Sequence, residues 1–342
     1  VSEARGAAVA PESAPVVALG AGRMGRGIAL VFAYAGWPVR ILDFKPRASD
    51  AFAALREEIG RELRATLADL AACGLFDATA IDTILARVTV VPEAGAPDAL
   101  RDAALVFEGV PEVPAMKREA LARASALAPA AIIASTTSTI LVDELAPAVA
   151  SPGRFLNAHW LNPAFLMPLV ELSPGRDTEP AVVARLKAML ESVGKVPVVC
   201  AARPGYIVPR IQTLAMNEAA RIVEEGVATA EDVDKAVRYG FGLRFGVLGL
   251  LEFIDWGGGD ILFHASRYLV GALGHERYAA PDVIERNMER GDIGLRTGRG
   301  FLDYAGLDRD AYRLARLRAF AERLRAEGLA RPPVLDAPER AA

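Results

Sequence analysis

From residue 16 to about 200, short apolar runs alternate with longer stretches of helical period. The runs 16–19, 39–42, 88–91, 105–108, 131–135, 155–159, 169–172 and 197–200 predict strands. Between them, the spacing of apolar positions predicts helices over 25–35, 48–72, 114–126 and 180–192. This alternation predicts an α/β domain, a doubly wound and mostly parallel sheet covered on both faces. The stretch 48–86 is long for one connection, and Cys73-Gly74 breaks it into two helices. It reads as an insertion standing off the sheet. The texture changes at Arg203-Pro204-Gly205. After it, 207–225, 230–239, about 250–270, 281–289 and 308–327 are all helical in period, with no strand pattern. The expected organisation is a tail over 1–14, the α/β domain over 15–202, an all-helical C-terminal domain over 203–330 and a tail over 331–342.

The first strand runs straight into Gly20-Ala21-Gly22-Arg23-Met24-Gly25, and then an apolar helix begins. Glycines so placed allow a tight turn, close backbone approach to a pyrophosphate, and close packing of helix on strand. The helix N-terminus adds unpaired amide donors for the anion. Glycine-rich turns are common, but here a second strand follows and ends in Asp43, 21 residues past Gly22. An acidic side chain there accepts hydrogen bonds from the ribose hydroxyls of NAD and repels a 2′-phosphate. The pattern predicts a Rossmann-type site for NAD, with Gly20, Gly22, Arg23, Met24, Gly25 and Asp43 around the cofactor. Lys45 and Arg47 follow closely, so NADP stays open as a second cofactor.

Of three histidines, His264 and His275 lie in weakly patterned helical surroundings. His159 stands at the end of a predicted strand, and ligands of parallel sheets sit at the carboxyl ends of strands. Glu171 interrupts the apolar run Pro168-Leu169-Val170-Glu171-Leu172, where a charge is costly unless it has a partner. A carboxylate against an imidazole fixes the tautomer and raises basicity, as a proton acceptor beside a hydride acceptor requires. A core histidine and an unrelated glutamate is the competing reading.

Composition removes several classes. Of 342 residues, 52% are hydrophobic and 24% charged, which excludes a disordered chain. The net charge of −4 and the absence of a basic block speak against a nucleic-acid or polybasic membrane role. The longest uncharged stretch, 124–142, holds Pro129 and five consecutive hydroxyl residues, so no membrane span is expected. The first fifteen residues lack the order of a signal peptide. Cys73 and Cys200 are too few for a disulfide framework, which points to a reducing, cytoplasmic setting, and no metal site is expected. Only five lysines (45, 117, 187, 195 and 235) stand among 39 basic residues, so a lysine at a meaningful position is less readily accidental.

At this point the chain resembles the L-3-hydroxyacyl-CoA dehydrogenase family over nearly its whole length. The stretches that carry the resemblance are GAGRMGRGIA at 20–29, LD at 42–43, VFEGVPE at 106–112, STTSTI at 135–140, HWLNP at 159–163, MPLVEL at 167–172, PGYIVPRI at 204–211 and GLRTGRGFLDY at 294–304. Residues 232–255 are also similar to L-gulonate 3-dehydrogenase, the lambda-crystallin relative that acts on a free sugar acid. The resemblance implies an NAD-dependent oxidoreductase that interconverts an L-3-hydroxyacyl compound and its 3-keto form. His159 would be the general base, Glu171 its orienting carboxylate, and Ser138 a hydrogen-bond partner of the substrate oxygen. Asn162 would help align nicotinamide and substrate. Glu112 and Lys117 would contact the cofactor, and Arg296 stands where the family has a lysine near the nicotinamide end. A Rossmann-based structural or NAD-sensing protein is the reading of a different class, and a pure binder has no use for the base–carboxylate pair. The resemblance and the apolar stretch 247–256 imply a homodimer through the helical domain.

Three departures bear on the substrate. Pro209 replaces a substrate-contacting asparagine of the family's PGFIVNR motif. The serine and lysine by which the family's inserted helix touches CoA are absent, with Glu62 and Asp69 nearest and no lysine in 48–86. STTS replaces SNTS. The same chemistry on a free 3-hydroxy acid or a bulky ketone therefore stands beside the CoA thioester.

Overall fold

A computed structural model of the chain describes residues 14–333. The two expected tails lie outside the described residues apart from their inner ends. The chain divides into two compact units between Ala215 and Met216.

The first unit is built on one eight-stranded sheet. Its strands are β1 (Val16–Leu19), β2 (Val39–Leu42), β3 (Val88–Val91), β4 (Leu105–Glu108), β5 (Ile132–Ser135), β6 (Phe155–Trp160), β7 (Leu169–Pro174) and β8 (Val196–Val199). They lie in the order β3-β2-β1-β4-β5-β6-β7-β8, all parallel except the β6–β7 pair. Every residue of β1, β4 and β5 is buried, because helices cover both faces of the sheet. Strand order reverses between β1 and β4, and the chain leaves their carboxyl ends in opposite directions. That is where an open α/β sheet leaves a crevice for a ligand.

Two helices frame that crevice: α1 (Arg23–Tyr34) and α2 (Ser49–Ala72). The inserted segment does not stand clear of the sheet as its length suggested. Ile59, Leu63 and Leu67 repeat every four residues, form one stripe of α2, and are buried in the same core cluster as Ile28 and Phe32 of α1. The second inserted helix is short, Ile81–Leu85.

The second unit is helical, and among its described residues only isolated bridges stand in for strands. The stretch expected as one helix over about 250–270 is two, Leu250–Gly257 and Gly259–Leu273. Gly258 separates them with φ at 108°, a left-handed value that glycine adopts without penalty. Buried Asp255 closes the unit. It accepts the amides of Phe301 at 2.9 Å and Leu302 at 2.8 Å and the hydroxyl of Tyr304. A Cβ on Gly294 would stand 2.2 Å from the Asp255 carbonyl oxygen, so the GLRTGRGFLDY segment needs its glycine there. No described helix is long and apolar enough to cross a membrane.

Candidate active site

The glycine loop follows β1 into α1 as its spacing requires. Gly20 has φ at 106°, and a Cβ on it would press on Gly109 at 2.9 Å. A Cβ on Gly25 would stand 2.0 Å from the Gly20 carbonyl oxygen. Gly22 differs, with nothing of the protein within 4 Å of its missing side chain. The space it leaves open lies at the N-terminus of α1, where the first-turn amides lack intrahelical partners. This is the cradle a pyrophosphate fits. A cleft of about 410 Å³ continues from it, lined by Asp43, Lys45, Arg47 and apolar groups of Phe44, Leu55 and Met116. Asp43, at the end of β2, is 3% exposed and paired with the Arg47 Nε. Met24 is half-buried and packs against the core.

His159 and Glu171 are direct cross-strand partners on the antiparallel β6–β7 pair, so their side chains share one face. The His159 Nδ1 lies 2.9 Å from Glu171 Oε2. A carboxylate only accepts, so the proton of this bond sits on Nδ1, and in the neutral imidazole the lone pair is on Nε2. The other oxygen, Glu171 Oε1, accepts the amides of Ile207 and Val208, each at 2.9 Å. Those amides open the helix Val208–Glu224, whose N-terminal dipole favours an anion. The buried charge thus has three donors, two of them supplied by a helix start that residue pattern had not connected to it.

Tyr206 was also missed. Its ring stacks on the His159 imidazole, with centroids 4.9 Å apart and planes 12° apart. Its hydroxyl donates to the Thr137 carbonyl at 2.8 Å and accepts from Asn157 Nδ2 at 3.2 Å. Burial raises its pKa, so the phenol keeps its proton. Tyr206 has φ at 44°, unusual for a residue with a side chain, and follows Gly205 at 80°. The Pro-Gly turn before it was the available signal.

Ser138 follows Thr137 after β5 and is exposed, its amide donating to Glu112 Oε1 at 3.0 Å. That oxygen also accepts the Thr139 amide at 3.1 Å and the hydroxyls of Thr137 and Thr139. Burial alone would raise the Glu112 pKa; the threonine hydroxyls and the Lys117 ammonium outweigh it and hold the carboxyl below its usual range. Lys117 requires a correction. At 1% exposure it has no surface left for a cofactor, and its Nζ is bound to Glu108 at 3.0 and 3.2 Å and to Glu112 at 3.3 Å. Fully buried Glu108 anchors this group, and an acid within the apolar β4 run was the signal for it.

Asn162 is exposed in the β6–β7 connection. It lines a second cleft, of about 330 Å³, together with Arg23 and Arg26 of α1 and Glu62 and Thr66 of α2. Arg23, expected at the cofactor, thus faces this second cleft. Arg26 is nearly buried and pairs with Glu58 and Glu62 while its Nε donates to the Ala21 carbonyl. Pro209 is the second residue of the helix Val208–Glu224, half-buried, where a missing N–H costs nothing. Arg296 lies in the second unit and pairs with Asp260 at 2.8 Å. Among the described residues no group of three His, Cys, Asp or Glu side chains is placed to hold a metal ion.

Residues 15–203 match the model of the 3-hydroxyacyl-CoA dehydrogenase NAD-binding domain, and residues 205–304 match that of the 3-hydroxyacyl-CoA dehydrogenase C-terminal domain. The chain belongs to the 3-hydroxyacyl-CoA dehydrogenase family. As a member of it, the protein is an NAD-dependent oxidoreductase acting on CH–OH. It is 30% identical to the probable 3-hydroxybutyryl-CoA dehydrogenase of Bacillus subtilis, over 84% of this chain and 96% of the relative. It is equally 30% identical to the 5-formyl-3-hydroxy-2-methylpyridine 4-carboxylate 5-dehydrogenase of Mesorhizobium japonicum, over 84% of this chain and 90% of the relative. Among solved structures, the 3-hydroxyacyl-CoA dehydrogenase of Archaeoglobus fulgidus superposes with a TM-score of 0.70 at 31% identity, over 93% of this chain and all of that one.

Proposed function

We propose that this 3-hydroxyacyl-CoA dehydrogenase relative interconverts an L-3-hydroxyacyl compound and its 3-keto form, with His159 as general base. The observation that carries the reading is the His159–Glu171 contact at 2.9 Å, with Glu171 held from behind by two amides. The arrangement leaves the imidazole Nε2 to take the 3-hydroxyl proton. Glu171 keeps the ring oriented and offsets the charge it gains. Bound NAD supplies the hydride acceptor. Ser138 binds the substrate oxygen, and Asn162 helps set substrate and nicotinamide in one near-attack geometry. Glu112, Asp43 and the glycine loop hold the cofactor.

A second reading, a substrate without CoA, has an observation of its own. The α2 wall of the Asn162 cleft presents Glu62, which with Glu58 occupies the guanidinium of Arg26. That wall offers a phosphorylated carrier no cation of its own, and Arg23 of α1 is the cation on the facing side of the cleft. The test is a kinetic panel of acetoacetyl-CoA, a simple 3-keto ester and a free 3-hydroxy acid, each with NAD(H) and NADP(H), run on wild type and His159→Ala. The variant is expected to lose ~10²–10⁴-fold in rate while keeping NADH binding. Near-normal turnover in His159→Ala sinks the mechanism.

The reading includes a homodimer formed through the helical domain. In the second unit Leu248, Ile284 and Tyr304 are the buried large hydrophobics among the described residues, while Phe241, Leu251, Ile261 and Tyr268 are each half or more exposed. Apolar surface on that scale is the mark of an interaction site, and a second copy is the partner proposed.

A further inference from the structure

Lys195 is buried, at 6% exposure, just before β8, and no carboxylate lies within ion-pairing distance of it among the described residues. A buried ammonium without a counter-charge is costly and persists where good acceptors meet it. Its Nζ donates to the Ala164 carbonyl at 2.6 Å and the Met167 carbonyl at 2.8 Å, and stands 5.6 Å from the centre of the Trp160 ring. Both carbonyls belong to the β6–β7 connection, the eight residues between Trp160 and Leu169 that carry Asn162. The same connection is pressed on α1: a Cβ on Gly27 would stand 2.9 Å from Ala164 Cβ. One lysine therefore pins the segment bearing Asn162 while that segment touches the helix that opens the NAD cradle.

We propose that Lys195 is a positioning residue of the reaction, fixing the β6–β7 connection so that Asn162 is held in place against α1. The proposal rests on the function proposed above. Two further features agree with it. Burial lowers the Lys195 pKa to about 8, and charge-assisted bonds are roughly twice as strong as neutral ones. The clamp is therefore tight below that pH and loosens above it. Tyr34 of α1 is the other titratable side chain on the adjoining pocket wall, whose remaining lining is apolar or glycine.

The experiment uses the full chain and whichever substrate of the panel is turned over, in the oxidation direction. There the base works better as pH rises, so a fall on the alkaline side is not its own. Lys195→Met is expected to lower kcat by ~10²-fold, the loss that accompanies misplacement by about 1 Å, with NADH affinity unchanged. Amides of 162–168 should exchange hydrogen faster in that variant than in wild type. Wild type should lose rate severalfold above pH 8. Lys195→Arg stays charged there, so it should keep most of the rate at pH 7 and lack that alkaline fall, a comparison that stands even if the methionine variant does not fold. A folded Lys195→Met with wild-type kcat overturns the proposal, and so does a parallel loss of NADH affinity and kcat, which marks a merely structural lysine. An alkaline fall retained in Lys195→Arg overturns it as well. Loss of the function proposed above would show differently, as a wild type inactive on every substrate or indifferent to His159→Ala.

Discussion

Asp43 illustrates how a residue's neighbours redefine it. Its distance from the glycine loop marks it as a ribose ligand, but in the fold Arg47 closes on its carboxylate at the rim of the cofactor cleft. Asp43→Ser removes an anion and frees a guanidinium at one stroke. The NADPH/NADH efficiency ratio should rise by about tenfold or more, because like-charge juxtaposition at an interface costs several kcal/mol and a freed arginine favours phosphate. Steady-state kinetics with both cofactors check this, and a wild type that already prefers NADPH removes Asp43 from the ribose. His159, Glu171 and Asp43 were legible because each is a polar residue where the apolar pattern gives no reason for one. The same rule applied to the β4 run would have found Glu108. Tyr206 and Lys195 were not legible, since what they touch is brought to them only by the folded chain.

Among the elements, the strands were plain in the sequence because buried strands in a parallel sheet are short, continuous apolar runs. The antiparallel β6–β7 pair was also within reach: eight residues are too few for a parallel crossover. Where helices break was less visible, and the split at Gly258 turns on one left-handed glycine. The helix start at Val208 has the largest consequence. Its amides, with that of Ile207, hold Glu171, and Pro209 follows directly with no N–H to give up. Replacing that proline therefore costs the backbone little, which makes Pro209→Asn a clean test of the family departure. The variant should raise kcat/KM for acetoacetyl-CoA by roughly tenfold or more, within what one oxyanion donor is worth, and lower activity on bulky ketones without CoA. Unchanged selectivity in the folded variant reduces Pro209 to a helix-start residue.

Over the whole molecule, the two units differ in how they satisfy burial. The first contains two extensive apolar cores flanking its sheet, and the second is tied by Asp255 but leaves much of its apolar surface outside. Sedimentation or light scattering should find a dimer, and Ile261→Glu with Tyr268→Glu should give monomers or unfolded chain. A wild type that remains monomeric at micromolar concentration rules out the proposed assembly. The division between an α/β and a helical part was legible from period alone; the apolar stretch 247–256 already pointed to a surplus of apolar surface in the helical part, but periodicity says which face is apolar and not what covers it.

The meeting of His159 and Glu171 across β6 and β7 carries one more implication. It is set by ladder register, in which a slip of one residue would send the side chains to opposite faces. The side chains of the connection between the strands do not themselves form that ladder. A lineage can therefore rewrite the segment after Trp160, and with it what the site admits, while inheriting the proton-transfer pair intact.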